Sequence, residues 1–460
     1  MKIKIFQSDK GDCLLFSAQG AQGKVFNVLV DGGMKDSFSE HVAPHLHGLR
    51  AHNQKLDVVY VSHIDQDHIS GVLQLFDDIK DWRVHDFQVH SGNPDHEEPK
   101  APLPPEVGAI WHNSFHEQLQ DNAGAIEDML AAMASVLSAS FEPETLRLAA
   151  QIQDLANSKA EAVQLSRRIG RAQLDVPLNR EFDGKLMCIR AGMPDPIAVG
   201  PLRFTVIGPR AEDLDALRDE WNEWLRQSAT KKQLREMRKR ARRDERELIG
   251  LDARDFREAL HEDAEALRRT MTRSPVGAID AAFHLGDRDK VTVPNLASLM
   301  FLLEEANKRV LLTGDGHADD ILNGLRVQGV LAAAGGLHVD LLKVQHHASE
   351  HNVHEAFCRT VTADHYVFCG NGEHENPDLR VVDAILDSRV GAPAALSPNP
   401  EVNRKFVLWF NSSEAVTPKA PAKEHMRKLA NRVAARLNAA PGRFEARFLG
   451  AGASSLDLDL

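Results

Sequence analysis

Apolar and polar residues alternate over residues 2–7, and apolar runs return over 13–17 and 24–30, where the turn Asp31-Gly32-Gly33 closes the pattern. Short runs bounded by turn residues predict a β-meander. Helical spacing follows over residues 39–53. Residues 56–62, Leu-Asp-Val-Val-Tyr-Val-Ser, then read as a buried strand, being short, valine-rich and almost unbroken in apolar character. That strand leads straight into His63-Ile64-Asp65-Gln66-Asp67-His68-Ile69-Ser70-Gly71.

Further along, residues 120–172 are rich in Ala, Leu, Glu and Arg at helical spacing, which predicts an inserted pair of amphipathic helices broken near Glu142-Pro143. Strand character returns at 202–207. A strongly charged helical block over 211–272 reads as a second insertion. Buried-strand patterns ending in polar residues then recur within 296–305, 308–322, 339–352 and 363–378, with helical signals between them and a helix near 380–388. The tail, 419–460, predicts one helix and a final strand, and no repeat of 20–50 residues is visible. The layout is that of an α/β sandwich with helical insertions, one domain over residues 1–460.

Composition adds bounds. At 43% hydrophobic and 27% charged residues, the 460-residue chain belongs with folded proteins and can bury a sizeable core. A formal charge of −12 argues against a surface built throughout for nucleic acid or an anionic membrane, though not against a local basic patch. Cys13, Cys188, Cys358 and Cys369 are too scattered for a disulfide framework or a zinc ribbon. The N-terminal residues are strand-like and no 18-residue apolar run occurs, so the expectation is a cytoplasmic protein without membrane spans. The GxSxG, GxxxxGK[ST] and GxGxxG signatures of serine esterases, P-loop proteins and dinucleotide-binding folds are missing.

The chemistry concentrates in residues 63–68, where two imidazoles and two carboxylates fall within six residues at the end of a buried strand. A polar turn accounts for such a composition. A divalent ion accounts for it better, because zinc and manganese take this mixture of nitrogen and oxygen donors and a loop can turn all four toward one point.

The segment resembles the HxHxDH metal motif of metallo-β-lactamase-fold hydrolases, with Asp65 in place of the second histidine. That form is similar to the branch containing the soluble domain of bacterial DNA-uptake competence proteins. The likeness continues in order through Gly11-Asp12-Cys13, Val30-Asp31-Gly32-Gly33, Thr313-Gly314-Asp315-Gly316, Gln345-His346-His347-Ala348-Ser349 and Asn371-Gly372-Glu373-His374, covering residues 1–80 and about 290–410. The resemblance implies a metallo-β-lactamase αββα sandwich holding one or two ions, zinc or manganese. His63 and Asp65 would face the first ion, and Asp67 and His68 the second. Asp315 would bridge them, although an aspartate after a strand also serves as an ordinary turn residue. One of His346 and His347 would complete the second site. His346 is favoured as that ligand, with His347 set over the substrate as a catalytic residue beside Asp67, which would orient the attacking water.

The sequence departs from the family at Asn295, which stands where most members supply a further histidine to the first ion. His112 and His284 are candidates to replace it, and both also read as ordinary hydrogen-bonded or surface histidines. Asp31 reads first as a turn cap, and His374 as an exposed loop residue that a leaving group would have to reach. The implied activity is a phosphodiesterase or nuclease using a metal-activated hydroxide on a nucleic acid or nucleotide. The alternatives are hydrolysis of another ester, amide or lactone, and a non-catalytic metal-binding sensor or scaffold of a defence-type system. The basic stretch 226–247 reads either as a solvated helix or as an arm contacting phosphates.

Overall fold

The computed structural model describes residues 1–113, 161–189 apart from 163, 196–215 apart from 213, and 298–460, with a few residues of 137–149 and 261–265. The insertions expected at 120–172 and 211–272, with their basic stretch, therefore fall largely outside the described residues, and His284 and Asn295 wholly so.

The described chain is mixed α/β and forms two mixed sheets. The first contains β1 (Lys2–Phe6), β2 (Leu14–Gln19), β3 (Val25–Val30), β4 (Val58–Val61) and β5 (Ile110–His112), edged by β14 (Ser455–Asp459), in the order β14-β1-β2-β3-β4-β5. Strands β14 to β3 run antiparallel, and β3, β4 and β5 run parallel. The second sheet has the order β13-β12-β11-β10-β9-β8-β7-β6. It comprises β6 (Ile197–Val199), β7 (Leu202–Gly208), β8 (Met300–Glu305), β9 (Lys308–Leu312), β10 (Leu337–Lys343), β11 (Val361–Phe368), β12 (Phe406–Phe410) and β13 (Phe444–Phe448). From β9 to β13 the pairing is parallel.

Strand β4 shows why the chain layers as it does. Alternate side chains leave opposite faces of a strand, so Val58 and Tyr60 enter a core shared between the two sheets, with Trp111, Phe204, Phe301 and Leu341. Val59 and Val61 enter a second core with Ile69, Val72 and Phe76 of the following helix. A strand buried on both faces reads in sequence as the unbroken apolar run seen there. A third core joins the outer face of the second sheet to the helices α3 (Ala318–Val327), α4 (Glu355–Thr360), α5 (Leu379–Val390) and α6 (Ala422–Ala439).

Several elements differ from the sequence expectation. The motif at residues 63–68 does not remain a loop: it runs into α2, Gln66–His90, so Asp67 and His68 occupy the first helical turn. The tail contains two strands after α6, because β13 closes the edge of one sheet while β14 returns to pair with β1 in the other. Strands β5 and β12 are additional. The helix expected at 39–53 is observed over residues 35–51, of which α1 (Ala43–Ala51) is the longest regular part, with π-type geometry at Phe38–Val42.

Backbone contact locks the start of α2 against the turn after β3. Gly32 donates its N–H to the His68 carbonyl (2.8 Å), and a Cβ placed on Gly71 would lie 2.0 Å from the Gly32 oxygen. Only glycine permits that approach. Among the described residues no helix is long and apolar enough to cross a membrane, and all four cysteines are buried.

Candidate metal centre

Four parallel strands deliver the centre from their carboxyl ends. β3 is followed by Asp31, β4 by His63, β9 by Asp315 and β10 by the pair His346-His347. Two strands come from each sheet, so the site forms where the sheets meet. Asp65 caps the amino end of α2, and Asp67 and His68 sit in its first turn, where the helix dipole favours carboxylates.

Asp315 is the middle of the cluster. Its Oδ2 lies 3.6 Å from His63 Nε2, 3.7 Å from His346 Nε2 and 3.6 Å from His347 Nε2, and its Oδ1 lies 3.4 Å from His68 Nε2. On one side His63 Nε2 also stands 3.6 Å from Asp65 Oδ2. On the other, His347 Nε2 is 3.0 Å from Asp67 Oδ2 and 3.3 Å from His68 Nε2. A tetrahedral ion with bonds of about 2.0–2.1 Å holds its donors about 3.3 Å apart, so these spacings suit groups that share an ion. Among the described residues, His63 Nε2 and Asp315 Oδ1 are buried without a hydrogen-bond partner. Buried polar atoms are seldom left so, and a bound cation would satisfy both. The residues present therefore fit a divalent metal ion, and two buried trios could hold one: His63, His68 and Asp315, and Asp12, His68 and His347.

Behind the second trio stand groups to which the sequence pattern gave no metal-ligating role. Lys343, at the end of β10, is buried and pairs with Asp12, and its ammonium lies 3.9 Å from Asp315 Oδ1. An ammonium already occupies the Asp12 side of that trio, so an ion belongs on its Nε2 side. Asp12 Oδ1 is 3.2 Å from His347 Nδ1, which also faces the Cys369 carbonyl at 3.1 Å. Asp31 accepts from the Ser62 N–H (2.7 Å) and hydroxyl (2.8 Å) and sits 3.0 Å from His68 Nδ1. Carboxylates at the back of a ligating imidazole fix its tautomer and orientation, which gives Asp31 a larger part than capping a turn. Among these residues Asp12 and Asp31 lie in segments that the sequence had marked, whereas Lys343 is a charge inside an apolar strand.

Charge is distributed accordingly. Burial opposes ionisation of Asp315, but His68 and the neighbouring imidazoles outweigh it and hold the carboxyl well below its usual range. Asp67 is held low in spite of burial by its hydrogen bond to His347. Burial likewise works against Asp12, and Lys343 brings it to about 2. Against the same cost of burial, Asp315 and Asp12 raise His347 to about 10, and Asp315 and Asp31 raise His68. His68 Nε2 and His347 Nε2 stand 3.3 Å apart, facing the place an ion would take.

A pH dependence follows. His347 is raised above its unfolded value of about 6.5, so its contribution to the ion-free fold is complete below pH 6.5 and is lost as pH rises toward 10. Metal affinity should run the other way, because the ion must displace the His347 proton. Titration calorimetry between pH 6.5 and 9 is expected to show affinity rising with pH and a buffer-dependent enthalpy from proton release. A pH-independent affinity with no proton released would contradict this.

Seven residues singled out by sequence thus converge: His63, Asp65, Asp67, His68, Asp315, His346 and His347. Within the histidine pair the geometry differs from expectation. His347, which had been set over the substrate, is the one beside Asp67 and His68, while His346 Nε2 lies 3.7 Å from Asp315 Oδ2. His112 is fully buried at the end of β5, opposite Val61, and neither ring nitrogen has a hydrogen-bond partner among the described residues. Burial, with His63 nearby, pushes it down to about 3 and keeps it neutral. His374 is exposed on its loop and does not join the cluster. No protein-family model matches the chain, and no curated protein does.

Proposed function

We propose that the chain is a metal-dependent hydrolase with the metallo-β-lactamase αββα sandwich, acting on phosphodiesters. The observation that carries this reading is Asp315, one buried carboxylate within 3.4–3.6 Å of three imidazole nitrogens that divide into two sets. The first set is His63 and Asp65, the second Asp67, His68 and His347, and Asp315 belongs to both. The mixture of imidazole and carboxylate donors suits zinc or manganese.

The charge of the cluster supports two ions. Asp12, Asp31, Asp65, Asp67 and Asp315 are five carboxylates set against the single ammonium of Lys343, which leaves four negative charges, the charge of two divalent cations. Buried charge is tolerated when it is paired. When bound, such ions acidify a coordinated water and stabilise the charge that develops on a phosphoryl oxygen, and paired ions suit in-line displacement at a phosphodiester. The protein's share is positional. Asp67 is held ionised, so it orients an attacking water by accepting a hydrogen bond. Asp31 and Asp12 hold the two second-set imidazoles from behind.

The test is a panel assay of the purified chain, in zinc and in manganese, with bis-p-nitrophenyl phosphate, a lactone and a thioester. Metal-dependent turnover of the diester is expected. Turnover confined to the lactone or thioester would move the chain to another hydrolase class, and tight metal binding without turnover would make it a sensor or scaffold.

A further inference from the structure

We infer that the adjacent histidines serve different ions, His347 completing the set of Asp67 and His68, and His346 supplying a donor to the ion of His63 and Asp65. The inference rests on the metal-dependent reading above and assigns the first ion a ligand that the sequence pattern does not provide.

Successive side chains of an extended strand diverge to opposite faces. Here His346, His347 and Ala348 all adopt left-handed backbone, with φ of 46°, 50° and 63°. Such a run of non-glycine residues is costly and is kept where the surroundings enforce it. Its effect is to bring both imidazoles onto the same carboxylate, with Nε2 3.7 Å (His346) and 3.6 Å (His347) from Asp315 Oδ2 while the ring centres stay 5.9 Å apart. The rings therefore stand on Asp315 from separate directions. His347 has Asp67 at 3.0 Å and His68 at 3.3 Å. Asp315 Oδ2 is approached by His63 as well as by both members of the pair, and His347 is the member of the pair set against Asp67.

Each ring has its own anchor. His346 Nδ1 lies 2.5 Å from Asn352 Oδ1, and the same amide donates from Nδ2 to the Asp315 carbonyl at 2.8 Å. Because a carbonyl only accepts, Nδ2 must face Asp315 and Oδ1 must face His346. Oδ1 in turn requires a proton on His346 Nδ1, which leaves the Nε2 lone pair for a cation. Asn352 is buried and thus ties the ligand tautomer of His346 to the backbone of the bridging residue.

The experiment is a count of zinc per chain after equilibration and desalting, with affinities from competition against a chelator, on wild type, His346→Ala, His346→Gln and Asn352→Leu. Both His346 variants are expected to retain one ion and lose one, and Asn352→Leu to weaken one ion by about 10- to 100-fold while leaving the other unchanged. Combination identifies which ion is lost: His346→Ala with His63→Ala should bind as His63→Ala alone, whereas His346→Ala with His68→Ala should bind none. Retention of two ions in the His346 variants overturns the inference and makes His346 a substrate contact, and loss of both ions overturns it as well. A wild-type chain that binds no ion would instead remove the metal-dependent reading itself.

Discussion

Asp315→Ala is expected to lose both ions and to cut diester turnover by more than about 100-fold, beyond what removal of an outer partner of a ligand costs. The reason is the shared position of this carboxylate. Both ligand sets converge on it, so its replacement removes a donor from each. Asp67→Ala and His68→Ala should each remove one ion, with the other held by His63, Asp65 and the remaining face of Asp315. Metal counting on the three variants separates the cases. An Asp315→Ala chain that keeps an ion as tightly as wild type would show that the two sets do not share it.

Lys343→Met is expected to cost stability on a comparable scale, about 3–5 kcal/mol, the usual effect of leaving one member of a buried ion pair alone. The ammonium and Asp12 are both almost wholly enclosed, so Asp12 would be left buried and charged without its ammonium. Pairing the change with Asp12→Leu should recover most of the loss, because a buried pair replaced by apolar residues of similar volume is often neutral. Urea denaturation of the single and double variants measures this. A single variant within about 0.5 kcal/mol of wild type would mean that the pair is not buried as described.

Much of the framework was legible because its strands are buried on both faces and so write themselves as apolar runs: β4, β8, β9, β10 and β11 each stand out in this way. What escaped notice did so for identifiable reasons. In α2 the apolar positions Ile69, Val72, Leu73 and Phe76 do carry helical spacing, but they follow the ligand-type residues so closely that the motif reads as a loop. β5 is three residues long and is held by pairing with β4 and by Asn179, which bonds both backbone groups of His112. No local pattern announces that.

The candidate site divides similarly. Clustered donors at 63–68 and the histidine pair are visible as composition, whereas Asp12, Ser62 and Asn352 matter through contacts with residues far away or through burial, and sequence shows neither. The division of labour within the pair depends on three consecutive left-handed residues, a backbone choice that the residue types His-His-Ala do not suggest.

The most direct test of the central claim is anomalous scattering from crystals of the chain equilibrated with zinc. The expected result is two peaks, about 3.5–4 Å apart as in paired-ion hydrolases, flanking the Asp315 carboxylate, one toward His63 and one toward His68 and His347. No peak beside Asp315 at saturating zinc would contradict the account.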